Sequence, residues 1–192
     1  MNVLKEFKGV FEIDKAFYET FKECISTDTT RYFLGAVYFD SEASTFVATD
    51  GRKLIKHTTL NAYPDTPSGY YELAKIGKSY KMLPKDLDGN FPNWKRVIEQ
   101  NNNYVCMQVE KIVNYNKTMV QFHSIKGNMA EDSSLIGEII LQNKTPINID
   151  FITKVLKHVG DFEVMYNSDS ETSPILFIID QRTTYMIQPM KR

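Results

Sequence analysis

Few residues in this sequence have the types and spacing that catalysis requires. Three histidines, His57, His123 and His158, could serve as metal ligands or general bases, yet none has a cysteine, a second histidine or a carboxylate at metal-ligand spacing. The sequence also lacks a serine nucleophile motif, a glycine-rich phosphate loop and paired carboxylates on one helix. We therefore predict that the protein is not an enzyme and holds no metal and no cofactor, and that the histidines have surface or structural roles.

Asp50 could act as a catalytic acid, but its position favours a turn. It stands with Gly51 between two strand-like runs, and an Asp-Gly pair in that position is the strongest short-range signal for a β-hairpin. A type I′ turn, with positive φ at both residues, is expected here. The turn would present Arg52 and Lys53 near the edge of a sheet.

Composition excludes several classes of protein. The 192 residues are 42% hydrophobic and 12% aromatic, which is enough for a core, and the 23 basic and 24 acidic residues give a net charge of −1. A uniformly basic polyanion binder is excluded, whereas a local basic face is not. No run approaches the roughly 18 apolar residues of a membrane span, and the start lacks a signal-peptide core. We expect a cytoplasmic protein, in which Cys24 and Cys106 are free thiols rather than a disulfide.

The first 62 residues predict a β-α-β-β-β order. Alternation over residues 3–13 indicates one strand, after which Asp14 caps a helix that runs to about Ser26 with Phe17, Phe21, Cys24 and Ile25 facing inward. The three strands that follow are Arg31–Asp40, Thr45–Asp50 and Lys53–Leu60.

A strand is predicted over residues 134–142, and the last 47 residues then repeat the β-α-β-β-β order. A short strand with Ile147 and Ile149 comes first, and Asp150 caps a helix that runs to Val159 with Phe151, Val155, Leu156 and Val159 facing inward. The later strands are Phe162–Tyr166, Pro174–Ile179 and Thr184–Gln188. Between the two halves, a loop over residues 61–69 precedes a hairpin over residues 70–83 that turns at Gly77 and Lys78, and a second hairpin covers residues 104–125.

Four segments in this order resemble the bacterial β sliding clamp, the DNA polymerase III β subunit family. The first has Arg31, Leu34 and Gly35 in a strand that leads into the second, the Ala-Thr-Asp-Gly hairpin at residues 48–51. The third, Phe91–Val97, resembles the segment that closes the family's middle domain, with Asn93 and Trp94 as substitutions. The fourth is the end of the chain, where Gln188 and Lys191 replace a methionine and an arginine.

The resemblance implies a shortened clamp-like homologue with an α+β DNA-clamp fold, in which helices pack on antiparallel sheets. We expect a single domain, residues 1–192, with halves 1–62 and 134–192 joined by a strand-rich connector, 63–133. The alternative is two small clamp domains, about 1–98 and 99–192, that assemble into a ring of three chains.

The resemblance also implies a pocket for linear motifs of DNA polymerases or repair proteins, of the form Gln-Leu-x-Leu-Phe. An apolar floor, an adaptable methionine and cationic rims suit such a motif, whereas the simpler interpretation is that its apolar residues only close the core. By position, the pocket residues are Leu34, Thr49, Gly51, Arg52, Leu54, Pro92, Arg96, Val97, Ser173, Ile175, Ile187, Gln188, Pro189, Met190 and Lys191.

A DNA-lining face is the second implied site. Each predicted helix has a pair of lysines on the face opposite its apolar side: Lys15 and Lys22 on the first helix, and Lys154 and Lys157 on the second. In the family, this lysine-bearing face lines the hole of the ring. Such cations contact phosphates without reading sequence, although an ordinary solvated helix face has the same pattern. Two functions remain open: a clamp that encircles duplex DNA as a homo-oligomeric ring, and an adaptor or decoy that binds peptides without encircling DNA.

Overall fold

A computed structural model describes residues 1–99, 105–115, 120–124, 149–156, 159, 162–167 and 173–188. The chain divides into two compact units, residues 1–94 and 95–192. This boundary lies near that of the two-domain alternative, and the number of independently folding domains stays a prediction.

Unit 1 is one antiparallel sheet with a helix, in the strand order β1-β2-β7-β6-β3-β4-β5. Its elements are β1 Val3–Phe7, β2 Val10–Ile13, α1 Lys15–Lys22, a 3-10 helix Thr29–Leu34, β3 Val37–Asp40, β4 Thr45–Thr49, β5 Lys53–Thr58, β6 Gly69–Ile76 and β7 Ser79–Lys85. The strands β6 and β7, predicted as part of a connector, lie inside this sheet between β2 and β3. Their hairpin turns at Gly77 as predicted, with φ of 60°.

Unit 2 has the described strand order β12-β11-β10-β8-β9, again antiparallel. Its elements are α2 Trp94–Glu99, which begins at the last residue of unit 1, β8 Val105–Tyr115, β9 Val120–Ser124, α3 Ile149–Leu156, β10 Phe162–Tyr166, β11 Ile175–Ile178 and β12 Thr183–Ile187. The last three strands agree with the predicted ones to within one residue at every end. The strand predicted over residues 134–142 lies outside the described residues.

The predicted α+β architecture of helices and antiparallel strands is confirmed, but two elements of unit 1 differ. Residues 3–13 form a hairpin rather than one strand, because Lys8 and Gly9 take positive φ of 52° and 75° and reverse the chain. Residues 29–34 form a 3-10 helix rather than the start of a strand, since the Asp28 carboxylate accepts a hydrogen bond from the Thr30 backbone N–H at 2.9 Å and so favours a helical turn.

The core of unit 1 is aromatic and lies between α1 and the sheet. Asp14 caps α1 by accepting from the Phe17 backbone N–H at 2.7 Å, as predicted. Phe17 and Phe21 stack with ring centroids 4.1 Å apart, and Phe11 meets Phe46 edge to face at 4.8 Å. His57 is buried, with its ring 5.5 Å from that of Phe17, so it belongs to this core.

In unit 2, α3 packs through Ile152 and Val155, both buried. The hydroxyl of Tyr185 on β12 donates to the backbone carbonyl of Phe151 at 2.7 Å, which ties the helix to the sheet. The helix begins at Ile149, so Asp150 lies within it rather than before it. None of the described helices is long and apolar enough to cross a membrane.

Candidate functional site

The loop between β4 and β5 is built on side-chain hydrogen bonds. The Asp50 carboxylate accepts from the backbone N–H groups of Arg52 at 2.8 Å and Lys53 at 2.9 Å. The Thr49 hydroxyl donates to the Lys53 carbonyl at 2.7 Å and accepts from the Gly51 N–H at 3.0 Å. In the loop from Asp50 to Arg52, all of which the structure describes, only Gly51 has positive φ, at 87°. The expectation of a type I′ turn was therefore wrong, because that turn needs positive φ at Asp50 as well. The loop is closed instead by the hydrogen bonds of the Asp50 and Thr49 side chains.

This loop presents one of its two cations to solvent. Arg52 is exposed. Lys53 is buried, with its ammonium 3.7 Å from the Asp50 carboxylate. The expectation that both cations would be presented was wrong for Lys53, and Thr49, whose hydroxyl is committed to the turn, is buried as well.

The 3-10 helix reaches the β4–β5 loop through Arg31. A Cβ atom added at Gly51 would lie 2.9 Å from Nη1 of Arg31, so the end of this exposed arginine side chain lies next to the glycine. The same guanidinium pairs with Asp28 at 3.4 Å. Hydrogen bonds from Thr30, and then Arg31 itself, lower the pKa of Asp28, which keeps this carboxylate charged beneath the arginine.

The same helix reaches the segment before α2 through Phe33. A Cβ atom added at Gly89 would lie 3.5 Å from the Phe33 ring, and the Gly89 carbonyl accepts a hydrogen bond from the Tyr70 hydroxyl at 2.9 Å. Further along, Phe91 stacks on Tyr38 with centroids 4.8 Å apart and ring planes at 7°. Phe91 begins the predicted pocket segment Phe91–Val97, which we call the Phe-Pro segment, and it thus packs against the sheet of unit 1.

Unit 1 therefore brings together three of the segments predicted to form the pocket. Leu34 and Leu54 are buried and Pro92 is exposed. The residues that connect the segments, Arg31 and Phe33, were not among the predicted site residues. The 3-10 helix that places them could have been predicted from Asp28, Thr29 and Thr30, since an aspartate before two threonines is typical of a helical N-terminus.

Unit 2 brings together a second group of predicted site residues. Ile175 opens β11 and Ile187 closes β12, and the two are directly paired across the ladder. Ser173 and Gln188, just outside these strand ends, are half-buried. On α2, Arg96 is exposed and Val97 half-buried, and the last three predicted pocket residues, Pro189, Met190 and Lys191, lie outside the described residues.

Three of the four lysines predicted to face DNA are among the described residues, and all three lie on helix surfaces. Lys15 and Lys22 are exposed on α1, and Lys154 is exposed on α3. The Lys22 ammonium lies 5.7 Å from the centre of the Tyr18 ring. Lys157 lies outside the described residues.

Nothing in the described part of the chain adds a metal centre, since no group of three or more His, Cys, Asp or Glu side chains there could hold an ion. A shallow groove of about 400 Å³ lies on β1, β2 and β7, lined by Lys5, Phe7, Lys8, Val10, Glu12 and Lys81. None of the predicted pocket residues lines this groove.

Comparisons with known proteins identify the fold but no close relative. No family model and no curated protein sequence matches the chain. The DNA polymerase III subunit beta from Borrelia burgdorferi, solved in complex with a natural product, superposes with a TM-score of 0.59 at 11% identity, over 100% of this chain and 65% of that one.

Two further solved structures agree. The DNA polymerase sliding clamp from Bacillus subtilis gives a TM-score of 0.58 at 14% identity, over 100% of this chain and 66% of that one. The sliding clamp from Bartonella birtlesii bound to griselimycin gives 0.54 at 14%, over 100% and 69%. The chain thus spans about two thirds of the length of the solved clamps that it matches, and over that length it has the bacterial sliding-clamp fold.

Proposed function

We propose that this chain is a non-enzymatic, clamp-like accessory protein of DNA replication or repair, which binds short linear motifs of partner proteins in the cytoplasm. The fold supports the general role. The observation that carries the peptide-binding part is the 3-10 helix, which contacts the β4–β5 loop through Arg31 and contacts Gly89, two residues before the Phe-Pro segment, through Phe33. Three separate segments of the expected pocket are thereby held to one short element.

The chemistry of this surface suits an apolar peptide with polar or acidic flanks. In our proposal the buried Leu34 and Leu54 lie beneath the apolar part of the peptide, and the exposed Pro92 forms one wall. The exposed Arg52 supplies a cation for carbonyl or carboxylate groups of the peptide. The Bartonella birtlesii clamp was solved bound to griselimycin, so a clamp surface can take up an organic ligand. The same use of the surface is part of our proposal for this chain.

Calorimetry with a Gln-Leu-x-Leu-Phe peptide that carries an acidic flank tests the proposal. Burial of two or three large apolar side chains contributes several kcal/mol before ordering costs, so we expect a Kd of about micromolar. Replacing the exposed Arg52 by glutamate should weaken binding about tenfold, since a like charge then faces the acidic flank.

The matched control for that variant is Lys78→Glu. Lys78 is also an exposed cation in a hairpin turn of unit 1, so its replacement changes the net charge by the same amount as Arg52→Glu. If Arg52→Glu and Lys78→Glu weaken binding by the same factor, or if the parent protein binds no peptide, the pocket is not where we place it.

A second function, encirclement of DNA, is favoured by the exposed Lys15, Lys22 and Lys154 on α1 and α3. A ring of several chains would sum these few cations into useful affinity for phosphates. The subunit number in solution, measured by light scattering, separates the two forms of the proposal: a stable closed oligomer favours the ring, and a monomer favours the adaptor.

A further inference from the structure

The segment from Gly89 to Trp94 is held by four separate contacts to unit 1. Phe33 packs on Gly89, and Tyr70 donates to the Gly89 carbonyl at 2.9 Å. Tyr38 stacks on Phe91, and at the end the Trp94 indole N–H donates to the Asp40 carboxylate at 3.2 Å. The side chains of Phe33, Tyr38 and Tyr70 form what we call the aromatic seat.

The seat is itself a connected unit. The rings of Tyr38 and Tyr70 lie 5.4 Å apart, and those of Tyr70 and Phe91 lie 6.3 Å apart. Burial, followed by the neighbouring Tyr38 and Tyr32, raises the pKa of Tyr70, so its hydroxyl keeps the proton that it donates to Gly89.

Gly89 is the position where this segment requires its residue type. Its φ is 133°, a conformation that residues with a Cβ rarely adopt. A larger residue would change the path of the chain at the point where the segment meets Phe33.

We propose that Phe33, Tyr38 and Tyr70 are positioning residues, which hold the Gly89–Trp94 segment in its binding geometry before any partner arrives. This inference rests on the proposed function, because Pro92, the wall that the segment carries, is useful only if a peptide binds there. Pre-ordering the wall removes an ordering cost from binding. The seat should then affect affinity even though its own side chains need not touch the peptide.

The single tryptophan of the chain, Trp94, reports on the segment without any ligand. Tyr70→Phe removes one hydroxyl and its hydrogen bond, and Gly89→Ala imposes an unfavourable φ. Both variants should increase acrylamide quenching of Trp94 and shift its emission to longer wavelength. Both should also weaken peptide affinity in calorimetry by about three- to tenfold, through the lost hydrogen bond in Tyr70→Phe and through the strained backbone in Gly89→Ala.

Tyr80→Phe is the matched control, because Tyr80 lies on β7 against Tyr18, 4.9 Å away between ring centres, and outside the seat. It should leave both readouts at the parent values. Unchanged quenching in Tyr70→Phe and Gly89→Ala, or increased quenching with unchanged peptide affinity, would overturn the inference. If the parent binds no peptide, the proposed function fails, and the quenching result alone decides whether the seat holds the segment.

Discussion

Arg31 and Phe33 stand two positions apart and reach different elements. Arg31 lies over Gly51 in the β4–β5 loop, and Phe33 lies over Gly89 before α2. Both glycines have positive φ, so the backbone favours glycine at each of these two positions. At the residue scale, the candidate site therefore depends on two glycine contacts that the 3-10 helix supplies.

Cys24 gives a prediction about pH. It is fully buried, and burial raises the pKa of its thiol, with nearby Lys53 lowering it and Asp50 raising it. In the unfolded chain the thiol ionises near its ordinary value of 9.0. Above that pH the thiol of the folded state holds a proton that the thiol of the unfolded state has lost. The free energy of unfolding is therefore constant with respect to this group below pH 9 and falls as pH rises above 9, by about 1.4 kcal/mol per pH unit.

Urea unfolding of the parent and of Cys24→Ala at pH 8, 9 and 9.5 measures this effect. The variant should be about 1 kcal/mol less stable at pH 8 and should lose less stability than the parent as pH rises. Lys56, whose pKa is lowered by burial, titrates equally in both proteins. Identical losses in parent and variant would show that Cys24 does not ionise on unfolding in this range.

At the scale of elements, α1 depends on its cap. Asp14→Ala removes the acceptor of the 2.7 Å hydrogen bond from the Phe17 N–H and should lower the free energy of unfolding by about 1 kcal/mol. Asp65→Ala is the control, since Asp65 is an exposed carboxylate in the loop before β6. If denaturant titrations give both variants the same free energy of unfolding as the parent, the Asp14 cap does not stabilise α1.

Much of the element pattern could be predicted from the sequence, for physical reasons that also explain the errors. β4, β5, β11 and β12 have apolar runs bounded by turn residues, and the prediction of these strands was correct to within two residues at each end. The β1–β2 hairpin was missed because lysine rarely takes positive φ, so Lys8 gave no turn signal. The 3-10 helix was missed because Arg31–Leu34 is rich in strand-forming residues, and the Asp28 cap outweighs that preference locally.

The candidate site was predictable to the same extent. The position of the glycine in the β4–β5 loop and the exposure of Arg52 follow from an Asp-Gly signal. The burial of Lys53, by contrast, depends on its pairing with Asp50, and the contact of Phe33 with Gly89 joins residues 56 positions apart. No periodicity or local spacing encodes such a contact.

At the scale of the whole molecule, the helix lysines give a prediction about DNA. Replacing Lys15, Lys22 and Lys154 with alanine should weaken binding to long duplex DNA regardless of base sequence. The salt dependence should also flatten by about 0.9 in log-log slope for each phosphate contact that is lost. Fluorescence anisotropy at several salt concentrations measures both quantities.

The control for that experiment removes three other exposed lysines, Lys5, Lys75 and Lys78, which lie on strands or in a turn. This triple variant has the same net charge as the helix variant. Equal losses in the two triple variants would indicate a diffuse charge effect, and DNA binding that neither variant changes would remove the lining role of α1 and α3.

Hydrogen exchange with and without the Gln-Leu-x-Leu-Phe peptide shows where on the chain the peptide binds, without any substitution. We predict slower exchange on peptide addition at the loop residues 50–52 and at residues 89–94, both in unit 1. Exchange in the groove on β1, β2 and β7 should not change. Protection confined to that groove, or saturating peptide that protects none of the predicted segments, would contradict the peptide-binding site that we propose.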